Sequence, residues 1–134
     1  MLSRFDSAAR RVMHTAEQES RNHNHYYIGA EHLLVALLEE RDQAVMQRLE
    51  GDGIDIGEVH AAVRRALGTG EDRSWEGVLV TPRVKEIVRV AHEVSEGGEI
   101  APLHLLEALR REGGSRAAQI LRLAAPSTDK PERS

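Results

Sequence analysis

The apolar residues near the start of the chain recur at the spacing of one helix face. Apolar positions in an i, i+3, i+4, i+7 pattern lie on one side of an α-helix. This pattern is formed here by Ala9, Val12, Met13 and Ala16. Asp6 stands just before them and is a favourable N-cap residue. The sequence therefore predicts an amphipathic helix from Asp6 to Arg21.

A second stretch repeats this pattern at an offset of 75 positions. Its apolar stripe consists of Val84, Ile87, Val88 and Ala91. Thr81 supplies a capping hydroxyl, and Pro82 suits the first position of a helix. The sequence predicts a helix from Pro82 to Glu96 and, with it, an internal repeat.

The repeat continues with a shared phrase, "YIGAEHLLVALL" from Tyr27 and "IAPLHLLEAL" from Ile100. Three residues are lost in the second copy before Ile100, so the offset becomes 72 and His32 aligns with His104. The remaining predicted helices are Glu31 to Glu40, Ala44 to Glu50, Ile56 to Leu67, Leu103 to Arg111, and Ser115 to Ala124. No apolar period follows Ala124, so the sequence predicts a fourth helix in the first unit and none in the second.

These elements predict an all-α fold made of two pseudo-symmetric repeats of short helices. One domain is expected over residues 1–125, with repeat 1 at about 3–67, a linker at 68–79, repeat 2 at about 80–124, and a flexible tail at 126–134. The one strand candidate, "VLVT" at 78–81, is expected to be too short to matter. Trp75 in the linker is expected to pack over the seam between the repeats, with an exposed partner anchor as the alternative.

The composition fits a soluble globular protein of the cytoplasm. Of the 134 residues, 40% are hydrophobic and 30% are charged, which suits a folded domain rather than a disordered chain. The absence of cysteine agrees with a reducing compartment. The charged beginning lacks the apolar region of a signal peptide, and no apolar run is long enough to cross a bilayer.

The charge balance argues against nucleic-acid binding. The formal net charge is -4, so no overall basic field attracts phosphate backbones. Aromatic residues make up 3% of the chain, which leaves few platforms for stacking bases. We expect neither nucleic acid nor membrane among the partners.

The duplicated motifs resemble those of the Clp amino-terminal repeat domain, the helical double repeat at the front of Clp AAA+ unfoldases. The first copy, with "YIGAEHLLVALLEE", is similar to the ClpC type, and the second, with "PLHLLEALRREGGS", is similar to the ClpB type. The resemblance implies a docking module that receives substrates and adaptor proteins. No Walker loop is present to bind nucleotide. The chain is either a free-standing repeat protein or a fragment of a longer one, and the missing fourth helix favours the first.

Seven histidines raise the alternative of a small metal-dependent hydrolase. His23 and His25 have an H-x-H spacing, and His14 or His32 could complete a ligand set. No cysteine joins them, and the nearby acids lie at ordinary helix positions. We therefore predict no metal site, no cofactor and no catalytic residue.

His32 and His104 hold the same place in the two units, near the start of a helix that continues with core leucines. One ring nitrogen can bond a loop backbone group there while the ring packs inward. Catalysis would need a nucleophile or an acid–base partner, and the two contexts share none. The sequence predicts a structural role for both rings.

Glu31, Leu2 and Val80 are the candidate ligand residues. In the family that the chain resembles, the acid before the histidine is associated with binding phosphorylated arginine, one site per repeat. The resemblance therefore implies such a role for Glu31, although the second copy has Leu103 at this position. A helix-start charge favoured by the dipole is the alternative for Glu31. Leu2 and Val80 stand where the resemblance implies an apolar surface that carries phenylalanine in ClpC relatives.

These observations predict a monomeric, non-enzymatic interaction module of the Clp unfoldase and protease system. Its expected partners are a Clp ATPase, an adaptor protein or protein substrates, including peptides that carry phosphoarginine. It would act as an accessory or as a decoy.

Overall fold

The computed structural model describes residues 4–68 and 79–126, which form seven helices and two short strands. The helices are α1 (Ser7–Asn22), α2 (Ala30–Glu40), α3 (Gln43–Gly51), α4 (Ile56–Leu67), α5 (Pro82–Val94), α6 (Pro102–Glu112) and α7 (Arg116–Ala124), and the strands are β1 (Tyr27–Ile28) and β2 (Leu79–Val80). The all-α prediction is confirmed. None of the described helices is long and apolar enough to cross a membrane.

Three predicted features lie outside the described residues. They are Leu2 of the candidate ligand set, Trp75 with most of the linker, and the tail after Pro126.

Short polar side chains begin most of the helices, as their positions in the sequence predict. The Asp6 carboxylate accepts the Ala9 N–H at 2.8 Å, and the Thr81 hydroxyl accepts the Val84 N–H at 3.2 Å. Asp42, Asp55 and Ser115 cap α3, α4 and α7 in the same way. Each cap satisfies a backbone donor that the helix itself leaves unpaired, which fixes where the helix starts.

Two short parallel pairings join the units to each other. Ile28 pairs with Val80 in the two-stranded sheet, and Phe5 pairs with Ile100 in an isolated bridge. With the offsets of 75 and 72, Phe5 is the counterpart of Val80 and Ile28 that of Ile100. The start of each unit therefore pairs with the other unit, as a pseudo-twofold axis requires. The prediction that "VLVT" is too short to matter was wrong, because two residues are enough to make this link.

The core is centred on α2, which is buried almost all the way round. Eight of its eleven residues are buried: Ala30, His32, Leu33, Leu34, Val35, Ala36, Leu37 and Leu38. Helices α1, α4 and α7 all contact α2. A helix covered in this way carries apolar residues on every face rather than on one stripe.

Helix α6 is the counterpart of α2, but charged residues stand on the side that α4 covers in the first unit. At the 72-residue offset, buried Val35 and Leu38 correspond to Glu107 and Arg110. Glu107 is paired with Arg48 of α3, and the Arg110 guanidinium donates to the Asp52 carboxylate at 2.6 Å. These charged side chains keep this side of α6 partly exposed to solvent, so it does not require an apolar helix to cover it.

Candidate functional site

Glu31 lies at the first turn of α2 and reaches the start of α7 in the other unit. Its Oε2 accepts the backbone N–H of Ala117 at 3.2 Å. Ala117 is the second residue of α7, where a backbone donor lacks a partner within its own helix. The carboxylate therefore lies at the N-termini of two helices, and both dipoles favour its charge.

The matching position in the second unit is built differently. Leu103 is half-buried and packs against the core. Helix α3, the counterpart of α7, satisfies its own first donors, because the Asp42 carboxylate accepts the N–H groups of Ala44 and Val45 at 3.1 and 3.3 Å. The two units thus share the architecture but place an acid beside a partner helix only once, at Glu31.

Val80 lies near the start of α2, the helix that carries Glu31. It is half-buried in β2, packs against the core and pairs with Ile28, which precedes α2. The described residues therefore bring Val80 and Glu31 to the same end of α2.

His32 and His104 make the same hydrogen bond in their two units. The Nδ1 atom of His32 accepts the Gly29 N–H at 2.9 Å, and that of His104 accepts the Ala101 N–H at 2.9 Å. Gly29 and Ala101 are the N-cap residues, and neither has a side-chain acceptor of its own. Each ring supplies half of a capping box in place of the usual Glu or Gln.

His32 carries a second hydrogen bond that His104 lacks in the described residues. Because Nδ1 of His32 accepts, its proton lies on Nε2, which donates to Nδ1 of His25 at 2.7 Å. His32 is fully buried, and burial, with His25 and His23 nearby, lowers its pKa to about 3. Burial also lowers the pKa of His25. The pair is therefore held neutral in the folded protein.

We expect His104→Ala to lower the free energy of unfolding by about 1 kcal/mol or more, because it leaves the Ala101 N–H without its acceptor. Denaturant unfolding of the parent and the variant measures this difference. His104→Asn is the matched control, since its amide oxygen can accept the same N–H. A His104→Ala variant as stable as the parent would contradict the structural role of this ring.

The Clp repeat (R) N-terminal domain matches residues 4–124, which is nearly the whole chain. The chain belongs to this family.

Curated relatives carry the Clp repeat domain as a small part of a much longer protein. The chain is 29% identical over 133 residues to "Negative regulator of genetic competence ClpC/MecB" of Bacillus subtilis, covering 97% of this chain and 16% of that protein. It is 30% identical over 124 residues to the "ATP-dependent Clp protease ATP-binding subunit ClpA homolog" of Cyanidium caldarium, covering 90% of this chain and 14% of that protein. The chain thus spans less than one fifth of the length of these relatives.

Solved Clp repeat domains share the fold. The N-terminal domain of ClpD from Arabidopsis thaliana superposes with a TM-score of 0.70 at 23% identity, covering 94% of this chain and 91% of that one. The Hsp104 N-terminal domain from Candida albicans superposes with a TM-score of 0.78 at 16% identity, covering 93% and 84%. Clp repeat domains are protein-interaction modules, and the hydrolase alternative has no support from the family.

His23, His25 and His32 of this Clp repeat domain lie next to one another, with ring centroids 5.9 Å apart for His23 and His25 and 4.9 Å apart for His25 and His32. Their nitrogens are directed to other partners: His23 Nδ1 lies 2.7 Å from the Gly68 carbonyl, whereas His25 bonds His32. Among residues 4–68 and 79–126, no group of three or more His, Asp and Glu side chains has a geometry that could hold a metal ion.

Sequence reasoning missed a partly buried ionic cluster that joins α1, α2 and α4. The Glu19 carboxylate is 5% exposed and accepts from the Arg64 guanidinium at 3.1 Å, and the same guanidinium also binds Glu39. Burial and the neighbouring Glu39 raise the pKa of Glu19. Hydrophobic periodicity would assign Glu19 and Arg64 to solvated faces, because contacts 45 positions apart leave no local pattern.

Proposed function

We propose that this Clp repeat domain is a non-enzymatic interaction module that binds protein partners of the Clp unfoldase and protease system. The partners are substrate segments, an adaptor protein or a Clp ATPase. The observation that carries the proposal is the family match over residues 4–124. Its relatives include a ClpC protein and the ATP-binding subunit of a Clp protease, in which this region occupies a small fraction of the length.

A pull-down from native lysate tests this proposal. The tagged full chain is immobilised, the lysate is passed over it with and without ATP, and retained proteins are identified by mass spectrometry. Retention of a Clp ATPase, its adaptor or unfolded clients supports the role. A second, helical protein of similar charge on the same resin is the control. If that control retains the same proteins, or if no Clp component or client is retained, the proposal is wrong.

We further propose that a phosphoarginine-bearing peptide, if bound, occupies one site per chain at Glu31. A carboxylate can pair with the guanidinium, while N–H groups at helix starts can donate hydrogen bonds to the phosphate oxygens. Glu31 supplies such a carboxylate beside the starts of α2 and α7, where its own Oε2 accepts the Ala117 N–H, so a phosphate would have to displace the carboxylate from that donor. Leu103 offers no charge at the matching place.

Glu31→Gln is expected to weaken the binding of a phosphoarginine peptide about tenfold or more, since a charge-assisted pair contributes roughly 1.5 to 3 kcal/mol. The Gln side chain keeps an oxygen that can accept the Ala117 N–H, so the fold is retained. Calorimetry gives both the affinity and the number of sites. Leu103→Glu is the matched variant in the second unit and is expected to add a weaker site.

Two results would contradict the assignment of this site. One is a parent protein with two equal sites. The other is a Glu31→Gln variant that binds phosphoarginine as tightly as the parent. A non-phosphorylated arginine peptide of the same sequence controls for simple charge attraction.

A further inference from the structure

Helices α4 and α7 border an apolar groove at the surface, next to the core. In α7 the core stripe is Ala117, Ala118 and Leu121, all buried. Three further apolar residues of the same helix line the groove: Ile120 and Ala124 are half-buried and pack at the edge of the core, and Leu123 is exposed. Helix α4 contributes Val59, Ala61 and Ala62 to the other wall. The groove has a volume of about 440 Å³.

Leu123 is the most exposed large apolar side chain in this groove, with 78% of its surface accessible. Leu79, at 66%, is the other strongly exposed leucine in the described residues and lies outside the groove. An exposed leucine side chain buries no apolar surface, so it adds no stability to the fold. Its place beside half-buried Ile120 therefore makes a ready anchor point for an apolar side chain of a partner.

Two arginines extend the groove on the side toward Ala66 and Gln119. Arg65 of α4 and Arg116 of α7 both line this extension, together with Ala62, Ile120 and Leu123. Both arginines are exposed, and within residues 4–68 and 79–126 neither makes an ion pair or a side-chain hydrogen bond. By contrast, the neighbouring Arg64 is paired with Glu19 and Glu39. The residues that line the extension include no acid, so its local charge is positive.

Acids near the groove do not neutralise this end. Glu58 lines the opposite part of the groove, seven positions before Arg65 on α4. Glu31 lies near the start of α7, but it does not line the extension and makes no ion pair with Arg116 in the described part of the chain. The groove thus has an apolar middle, a basic end at Arg65 and Arg116, and an acidic end at Glu58.

We propose that the α4–α7 groove is a docking site for an amphipathic helical peptide whose acidic end lies over Arg65 and Arg116. Small residues on α4 let a partner backbone approach closely, while Ile120 and Leu123 receive its apolar face. Carboxylates pair with the two arginines and set the direction of the peptide. This inference rests on the proposed role as an interaction module and names the chemistry of one partner.

The probe is a synthetic amphipathic helical peptide built from Leu, Ala and Glu, titrated into isotope-labelled full-length protein. We expect amide shifts to concentrate on α4 and α7. Leu123→Ser is expected to weaken binding at least about tenfold, because the central anchor is lost. Leu79→Ser is the matched control and is expected to bind like the parent.

The charge is tested with two further comparisons. The double substitution Arg65→Ser and Arg116→Ser is expected to weaken binding about tenfold, whereas Arg111→Ser, another exposed arginine, is expected to have no effect. A peptide with Lys in place of each Glu is expected to bind at least about tenfold more weakly than the acidic one.

Several outcomes overturn the docking site. They are amide shifts confined to other helices, equal effects of Leu123→Ser and Leu79→Ser, equal binding of the Lys and Glu peptides, and no binding of either. A parent that dimerises through Leu123 in sedimentation would assign the groove to a second copy instead. If a chain truncated after Pro126 binds the peptide and the full chain does not, the groove is occupied by the last residues of this chain instead. The lysate pull-down is read separately, so retention of a Clp protein by both parent and Leu123→Ser would overturn the groove and leave the proposed function standing.

Discussion

Acidification from pH 7 to pH 4.5 is expected to lower the free energy of unfolding by about 2.5 kcal/mol through His32 alone. Burial holds the pKa of His32 at about 3 in the folded protein, against about 6.5 when the chain is unfolded. Between these values the unfolded state binds a proton that the folded state does not. Stability therefore falls as the pH drops below 6.5, by about 1.4 kcal/mol per pH unit, until the pH approaches 3.

Denaturant unfolding at a series of pH values between 7 and 4.5 measures this loss. His32→Asn is the control variant, because its side-chain oxygen can accept the Gly29 N–H but does not titrate in this range. Other groups change with pH in both proteins, among them Glu19, whose raised pKa acts in the opposite direction. The difference between parent and variant reports the bonded pair of His25 and His32, because the variant also removes the hydrogen bond that His32 donates to His25. Equal pH profiles for the two would show that His32 is not held neutral by the fold.

The helices of this protein could be predicted because their signals are local. The i, i+3, i+4 stripe of α1 and the Thr81-Pro82 start of α5 both lie within a few residues of the element they define. Every predicted helix is present, with ends within two residues of the expected ones. The duplicated phrase around His32 and His104 also identified the repeat, and the family match confirms it.

The candidate site could not be predicted to the same extent, because its contacts join distant parts of the chain. Glu31 meets Ala117 across 86 positions, and this partner follows from how α7 packs against α2. The bond between His25 and His32 spans only seven positions, yet it depends on a loop that turns back over α2. The pairings of Phe5 with Ile100 and of Ile28 with Val80 likewise follow from how the two units pack together, which the sequence does not show. A two-residue strand has too few residues to show an alternating pattern.

Phe5→Ala is expected to lower the free energy of unfolding by about 3 to 5 kcal/mol, whereas Val80→Ala is expected to cost about 1 kcal/mol. Phe5 and Val80 are counterparts at the starts of the two units, and each pairs with the opposite unit. Phe5 is fully buried and is the sole phenylalanine of the chain, while Val80 is half-buried. Their backbone environments match, so the difference reports the side chains.

The backbone bonds around Phe5 do not depend on its ring, which makes the comparison clean. The Asp6 N–H donates to the Ile100 carbonyl at 2.9 Å, and the Ile100 N–H donates to the Arg4 carbonyl at 2.7 Å. Both bonds can persist in Phe5→Ala, so the lost energy comes from the cavity left in the core. Phe5→Leu fills most of that space and is expected to cost about 1 kcal/mol. Equal losses in Phe5→Ala and Val80→Ala, measured by denaturant unfolding, would contradict the larger contribution expected of the buried Phe5 ring.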